Sequence, residues 1–212
     1  MRFFYTSLLL LGLIANQAGA NEALSSKQVV ERGIADLTEV FEANKTVYDQ
    51  QPNQLYVDLD RVLQPYVNFR YISARVMGGR YFRAATPQQR TDFAATFQET
   101  LVKTFGQGLM NFDYQEFDLQ IKEGETRYED QDNIALDVVA KGGERIPIIF
   151  TLRLHADEWK IINLIVNGVN LGLTFNSQFD RAMREKNRDF DAVIANWSPE
   201  QTLGELKKGE VE

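Results

Sequence analysis

The one histidine of the chain, His155, stands beside Asp157 and Glu158. In that setting an imidazole could serve as a general base. No nucleophile motif accompanies it, and the chain around it reads as a polar turn, so an enzyme using His155 or paired carboxylates is the alternative reading rather than the leading one. Zero cysteine excludes disulfides, thiolate metal sites and a cysteine nucleophile. One histidine leaves almost no means of building a zinc site or a Ser-His-Asp triad, so no metal site is expected. The second group with chemical potential is cationic. Between Arg61 and Arg90 lie six arginines (Arg61, Arg70, Arg75, Arg80, Arg83 and Arg90) and no acidic residue, although the whole chain is acidic, with a formal net charge of −7. Tyr66, Phe69, Tyr71, Tyr81 and Phe82 are interleaved with them. Guanidinium forks match phosphate geometry, and aromatic rings favour the boundary between apolar and wet surroundings. A charge run is by default a solvated face; this one also suits a phosphate-bearing ligand or an acidic partner, with Arg75, Arg80, Arg83 and Arg90 as the candidate contacts. The acidic balance argues against nucleic acid, which needs a surplus of Lys and Arg.

These groups must be positioned by elements that the spacing announces. Met1-Arg2, an apolar run from Leu8 to Ile14 and the small-x-small Ala18-Gly19-Ala20 read as a signal peptide over residues 1–20. No cysteine follows the cleavage site to carry a lipid. Residues 21–197 read as a single domain and 198–212 as a flexible charged tail. Val30, Ile34, Leu37 and Phe41 predict a helix from Ser25 to about Val47, and Pro52-Asn53 breaks it. Leu55, Leu59, Val62 and Tyr66 make a second short stripe that Pro65 interrupts. A third helix starts at the cap Asn68 and stops at Gly78-Gly79. Thr86-Pro87 opens a long fourth helix. After Asp113 the period changes to two. Strands are expected over Phe117–Ile121, Ile134–Ala140, Ile146–Leu154 and Trp159–Val166, with Lys141-Gly142-Gly143-Glu144 and His155-Ala156-Asp157-Glu158 as turns. Short helices at 178–186 and 190–197 close the domain. The expected fold is α+β, an antiparallel sheet of about four strands packed against several helices.

The apolar surplus has a shape. The fourth helix carries Phe93, Phe97, Leu101, Phe105, Leu109 and Phe112 on one stripe, and the third strand has Ile146, Ile148, Phe150, Leu152 and Leu154 on one face. Two such faces can simply meet as core. If they stand apart instead, they enclose an internal apolar cavity able to hold alkyl chains. Periodicity then nominates as its lining Phe69, Ile72, Val76 and Met77 from the third helix, and Phe97, Leu101, Phe105, Leu109 and Phe112 from the fourth. From the strands it nominates Ile134, Leu136, Ile148, Phe150, Leu152, Ile161, Ile165 and Val169. A solid core with the arginine block serving as an adaptor surface is a third reading.

The stretches Leu63-Gln64-Pro65-Tyr66-Val67, Val76 through Arg90, Phe93 through Leu109 with Thr104-Phe105-Gly106-Gln107-Gly108-Leu109, and the closing Trp159 to Val169 resemble the MlaC family of phospholipid-binding proteins. The resemblance covers nearly all of the chain after residue 20. It implies a fold of the nuclear-transport-factor type, with acyl chains between a curved sheet and helices, and it places the Leu63–Leu109 block in the helical wall. It further implies a periplasmic carrier without catalysis or cofactor, a monomer that takes a phospholipid ligand between an outer-membrane lipoprotein–porin complex and an inner-membrane ABC transporter complex and so maintains outer-membrane lipid asymmetry.

Overall fold

The computed structural model describes residues 23–110, 117–123 and 128–199. The expected signal peptide, Phe112 and the tail beyond Pro199 lie outside the described residues. Helix α1 spans Ser26–Gln50, with Ser25 and Gln28 forming a reciprocal cap at its start. Helix α2 spans Pro52–Leu63, its proline at the first helical position, where a missing N–H costs nothing. Asn68 caps α3, Phe69–Ala84. The expected stop at Gly78 is a break rather than an end: Gly78 sits at φ 70°, and helical backbone resumes to Ala84. Carbonyls freed by the break are taken up by Asn176, whose side chain donates to Val76 at 2.8 Å. Helix α4 runs Pro87–Met110, started by a second reciprocal cap between Thr86 and Gln89.

The sheet has five antiparallel strands in sequential order, β1 (Phe117–Glu123), β2 (Gln131–Ala140), β3 (Arg145–His155), β4 (Glu158–Val166) and β5 (Val169–Asn170). The fifth, absent from the sequence reading, is two residues long and follows Asn167-Gly168, both at positive φ. Asn-Gly is the residue pair that a tight hairpin turn of this hand favours. Ala156 and Asp157 adopt the same left-handed conformation between β3 and β4. The outer edge of β4 is further covered by Tyr66-Val67-Asn68, which hydrogen-bonds to both sides of Ile161. Helix α5, Leu171–Glu185, starts seven residues earlier than the sequence suggested, capped by Asn170, and α6 is Phe190–Ala195.

Two cores result. The larger joins the helices: Phe93, Phe97, Phe175, Phe179 and Trp197 stack at centroid separations from 4.7 to 6.3 Å. In the smaller, Val29 and Val30 of α1 lie against Ile134 and Leu152 of the sheet. Among the described residues no helix is long and apolar enough to cross a membrane.

Candidate functional site

Register decides which side chains share a face, because a strand alternates sides residue by residue. The cross-strand rows Ile134–Phe150–Leu164 and Leu136–Ile148–Val166 are continuous, with Ile121 extending the second onto β1. At one end this face is sealed, since Ile134 and Leu152 are wholly buried with α1 over them. Toward the other end Leu136 and Val138 of β2 stay buried while Ile146, Ile148 and Val166 are only half-buried, as are Phe150, which packs against the same small core as Ile134, and Leu164 beside it in that row. Helix α4 shows the same gradient. Phe93, Phe97 and Leu101 are buried, while Phe105, Leu109 and Met110, one to two turns on, are half-buried. These three, with Leu164 and Val166, fringe one and the same helical core. The main packing partners of α4 are α2, α3 and α6, whereas the sheet is packed by α1, α3 and α5. The long helix and the strands therefore present two apolar surfaces that other elements only partly cover.

The nominated residues divide accordingly. Phe69, Val76, Met77, Phe97 and Leu101 lie in the helical core, and Ile72, Phe105 and Leu109 lie on its fringe. Ile134, Leu136 and Leu152 are buried in the sheet face, with Ile148 and Phe150 half-buried in the same rows. Ile161 faces Leu152 across β3 and β4. Ile165 is turned to the opposite face, paired with Ile149. The cause is an irregularity at Thr151/Leu152, where β4 carries one extra residue; it shifts the alternation, so that Leu164 and Val166 join the apolar rows instead. Nothing in the sequence marks this bulge, because β4 is apolar on both sides of it. Val169, in the short β5, is 38 % exposed. An internal cavity lined by these residues is not shown by the described part of the chain.

The arginines are likewise sorted. Arg90 is tied to the fold: its Nη2 donates to the carbonyl of Ala85 at 2.9 Å, its guanidinium lies 4.5 Å from the Phe82 ring centroid, and it thereby caps the end of α3. Arg61 pairs with Asp58. Arg70, Arg75, Arg80 and Arg83 are exposed and have no ion pair among the described residues. An open cleft of about 880 Å³ lies between α3, the first half of α4 and the β3–β4 hairpin, and its wall includes Arg70, Arg90, Arg153 and His155. Of these, sequence reasoning nominated only Arg90 as a contact, because Arg153 reaches the cleft from a strand remote in sequence. His155 closes the hairpin opposite Glu158. No cluster of three or more potential metal ligands occurs among the described residues.

The chain's similarities point one way. A profile of the family described as MlaC protein matches residues 31–199. The toluene tolerance protein ttg2D of Pseudomonas putida is 32% identical over 178 residues, spanning 84% of this chain and 82% of that protein. The intermembrane phospholipid transport system binding protein MlaC of Haemophilus influenzae is 29% identical over 153 residues, 70% of this chain and 71% of that one. Among solved structures, a phospholipid-binding protein from Ralstonia solanacearum, in complex with a phospholipid, superposes with a TM-score of 0.68 at 16% identity, covering 81% of this chain and 98% of that one. The last likeness concerns the fold, and the extended match of profile and sequence carries the assignment: the chain belongs to the MlaC family.

Proposed function

We propose that this protein is a non-enzymatic phospholipid carrier of the periplasm, exchanging glycerophospholipid between an outer-membrane lipoprotein–porin complex and an inner-membrane ABC transporter complex. The observation that carries the reading is the pair of half-buried apolar surfaces: Ile146, Ile148, Phe150, Leu164 and Val166 on the sheet, and Phe105, Leu109 and Met110 on α4. Acyl chains between them would complete a burial that the protein leaves unfinished. Family membership and the names of the relatives support the choice of ligand.

The physics is consistent. At about 0.8 kcal/mol per CH₂, two sixteen-carbon chains cost roughly 20 kcal/mol or more to expose to water. A lipid therefore crosses an aqueous compartment only inside an apolar enclosure. Because bilayer and protein both hide the tails, exchange between them is close to isoenergetic, and its direction must come from the partner complexes.

Purified after expression in bacteria and extracted with organic solvent, the protein is expected to yield glycerophospholipid in near-stoichiometric amount; an empty extract overturns the proposal. Phe105→Asp and Phe150→Asp should lose the lipid while retaining the circular-dichroism spectrum. Ile165→Asp, on the opposite face, should keep it. Retention by the first two would show that the tails lie elsewhere.

A further inference from the structure

The cleft between α3, α4 and the β3–β4 hairpin is separate from the two surfaces just described. Among the described residues its wall holds three arginines and one histidine and no Asp or Glu, in a chain where acidic residues outnumber basic ones by 30 to 23. Four of the wall's other polar side chains are already engaged. Asn68 caps α3, Ser73 donates to the Arg70 carbonyl, Thr91 to the Pro87 carbonyl, and Gln98 to Asp60. What remains to meet a ligand is the arginines, with His155 and the Tyr71 hydroxyl proton beside them. Arg70 is exposed and has no ion pair among the described residues. Arg90 is held by Ala85 and Phe82, and no carboxylate among the described residues pairs with it. Arg153 is shared with Asp130 at 3.0 Å and with the Tyr71 hydroxyl at 3.4 Å, so it is fixed in place but partly neutralised. Below this rim the floor is apolar: Met77 is buried, and Ala74, Ala94, Leu154 and Ile162 are half-buried. A space of about 880 Å³ lies within the range of small-ligand sites, about 300–1,000 Å³.

We propose that this cleft is a binding site for a phosphate ester carried on a single hydrocarbon chain, the phosphate held at the rim by Arg70 with Arg153 behind it, and the chain lying along the alanines of α3 and α4. The shared chemistry could come from a lipid headgroup or from a free phosphate, and guanidinium donors suit either. The apolar floor favours the amphiphile. This site does not depend on the carrier reading, since none of its floor residues belongs to the half-buried rows.

Titration calorimetry on the full protein, as purified and below micelle concentrations, tests it with dodecyl phosphate, dodecyl maltoside and inorganic phosphate. Dodecyl phosphate should bind about tenfold or more tightly than either of the others, and Arg70→Glu should weaken it by about tenfold or more, the loss of one charge-assisted hydrogen bond. Arg70 is exposed in the first turn of α3, where a carboxylate suits the helix dipole, so this variant should fold. Ala94→Trp, which fills the floor, should weaken dodecyl phosphate while leaving inorganic phosphate unchanged. Both variants should retain the co-purifying phospholipid that Phe105→Asp loses. Inorganic phosphate binding as tightly as dodecyl phosphate would overturn the amphiphile assignment in favour of a free anion. Equal binding of the maltoside, or no effect of Arg70→Glu, would overturn the cationic rim. Loss of co-purifying phospholipid in Arg70→Glu would overturn the separateness of the cleft.

Discussion

At the scale of single residues, the Asp58 carboxylate and the Tyr48 and Tyr66 hydroxyls hold helices together. Asp58, 6 % exposed, accepts from the Tyr48 hydroxyl at 3.0 Å, from Gln54 at 3.2 Å and from Arg61 at 2.8 Å, and so ties α1 to α2. The Tyr66 hydroxyl donates to Asp36, joining the α2–α3 connection to α1. Burial first, and then the neighbouring carboxylate, pushes both phenols up to about 12 from an ordinary 10.0. Between those values an unfolded tyrosine loses its proton while the folded one keeps it. The stabilisation is thus complete below pH 10 and is lost as the pH rises through the folded value. Urea-denaturation midpoints should hold steady to about pH 10 and fall steeply toward pH 12, and Tyr66→Phe should flatten that fall. An unchanged slope in Tyr66→Phe would show that its hydroxyl is not the linked group. Neither phenol–carboxylate pairing was visible in the sequence, because the partners lie 10 and 30 residues apart on different elements and carboxylates are abundant.

At the scale of elements, two glycines two residues apart in α4 have opposite roles. A Cβ on Gly106 would meet Leu59 at 3.0 Å and Tyr56 at 3.1 Å, so this glycine lets α2 lie close against α4. On Gly108 it would meet nothing within 4 Å among the described residues. Gly108→Ala should therefore raise stability by about 0.5–1 kcal/mol, the ordinary helix-interior gain. Gly106→Leu should lower it by roughly 1–3 kcal/mol through overpacking. Urea midpoints of the two variants moving in the same direction would contradict this division. Sequence spacing located both glycines but could not separate close approach from open space, because that difference belongs to the neighbouring helix. Elements with local signals were legible: the caps at Ser25, Asn68 and Thr86, the break of the first helix at Pro52, the proline start of α4, and the hairpin at Gly143. Features settled by tertiary partners were not. The helix resumes past Gly78 because Asn176 on α5 satisfies the broken turn, and the β4 bulge exchanges Ile165 for Leu164 and Val166 in the apolar rows.

At the scale of the whole molecule, the question is why a chain with so solid a helical core leaves part of its sheet half-covered. On the proposed reading, core and band have different tasks. The aromatic cluster of Phe93, Phe97, Phe175, Phe179 and Trp197 is fully closed and supplies rigidity without a ligand. The band around Phe105, Ile148, Phe150 and Val166 stays half-buried in the protein alone, and its remaining burial is available to whatever enters. A fold arranged this way is stable when empty and more stable when loaded, because anything that binds only the native state adds its mass-action free energy to folding. For dioleoyl phosphatidylglycerol at a hundredfold excess over Kd, that addition is about 2.7 kcal/mol. At roughly 2–4 °C per kcal/mol for a domain of this size, the melting temperature should rise by about 5–10 °C on loading a delipidated sample. In Phe150→Asp the same addition should produce no rise, while Ile165→Asp should respond like the native chain. A delipidated native protein whose melting temperature ignored the phospholipid would mean that the open band is simply exposed surface, and that the apolar residues of β3 and β4 serve the sheet alone.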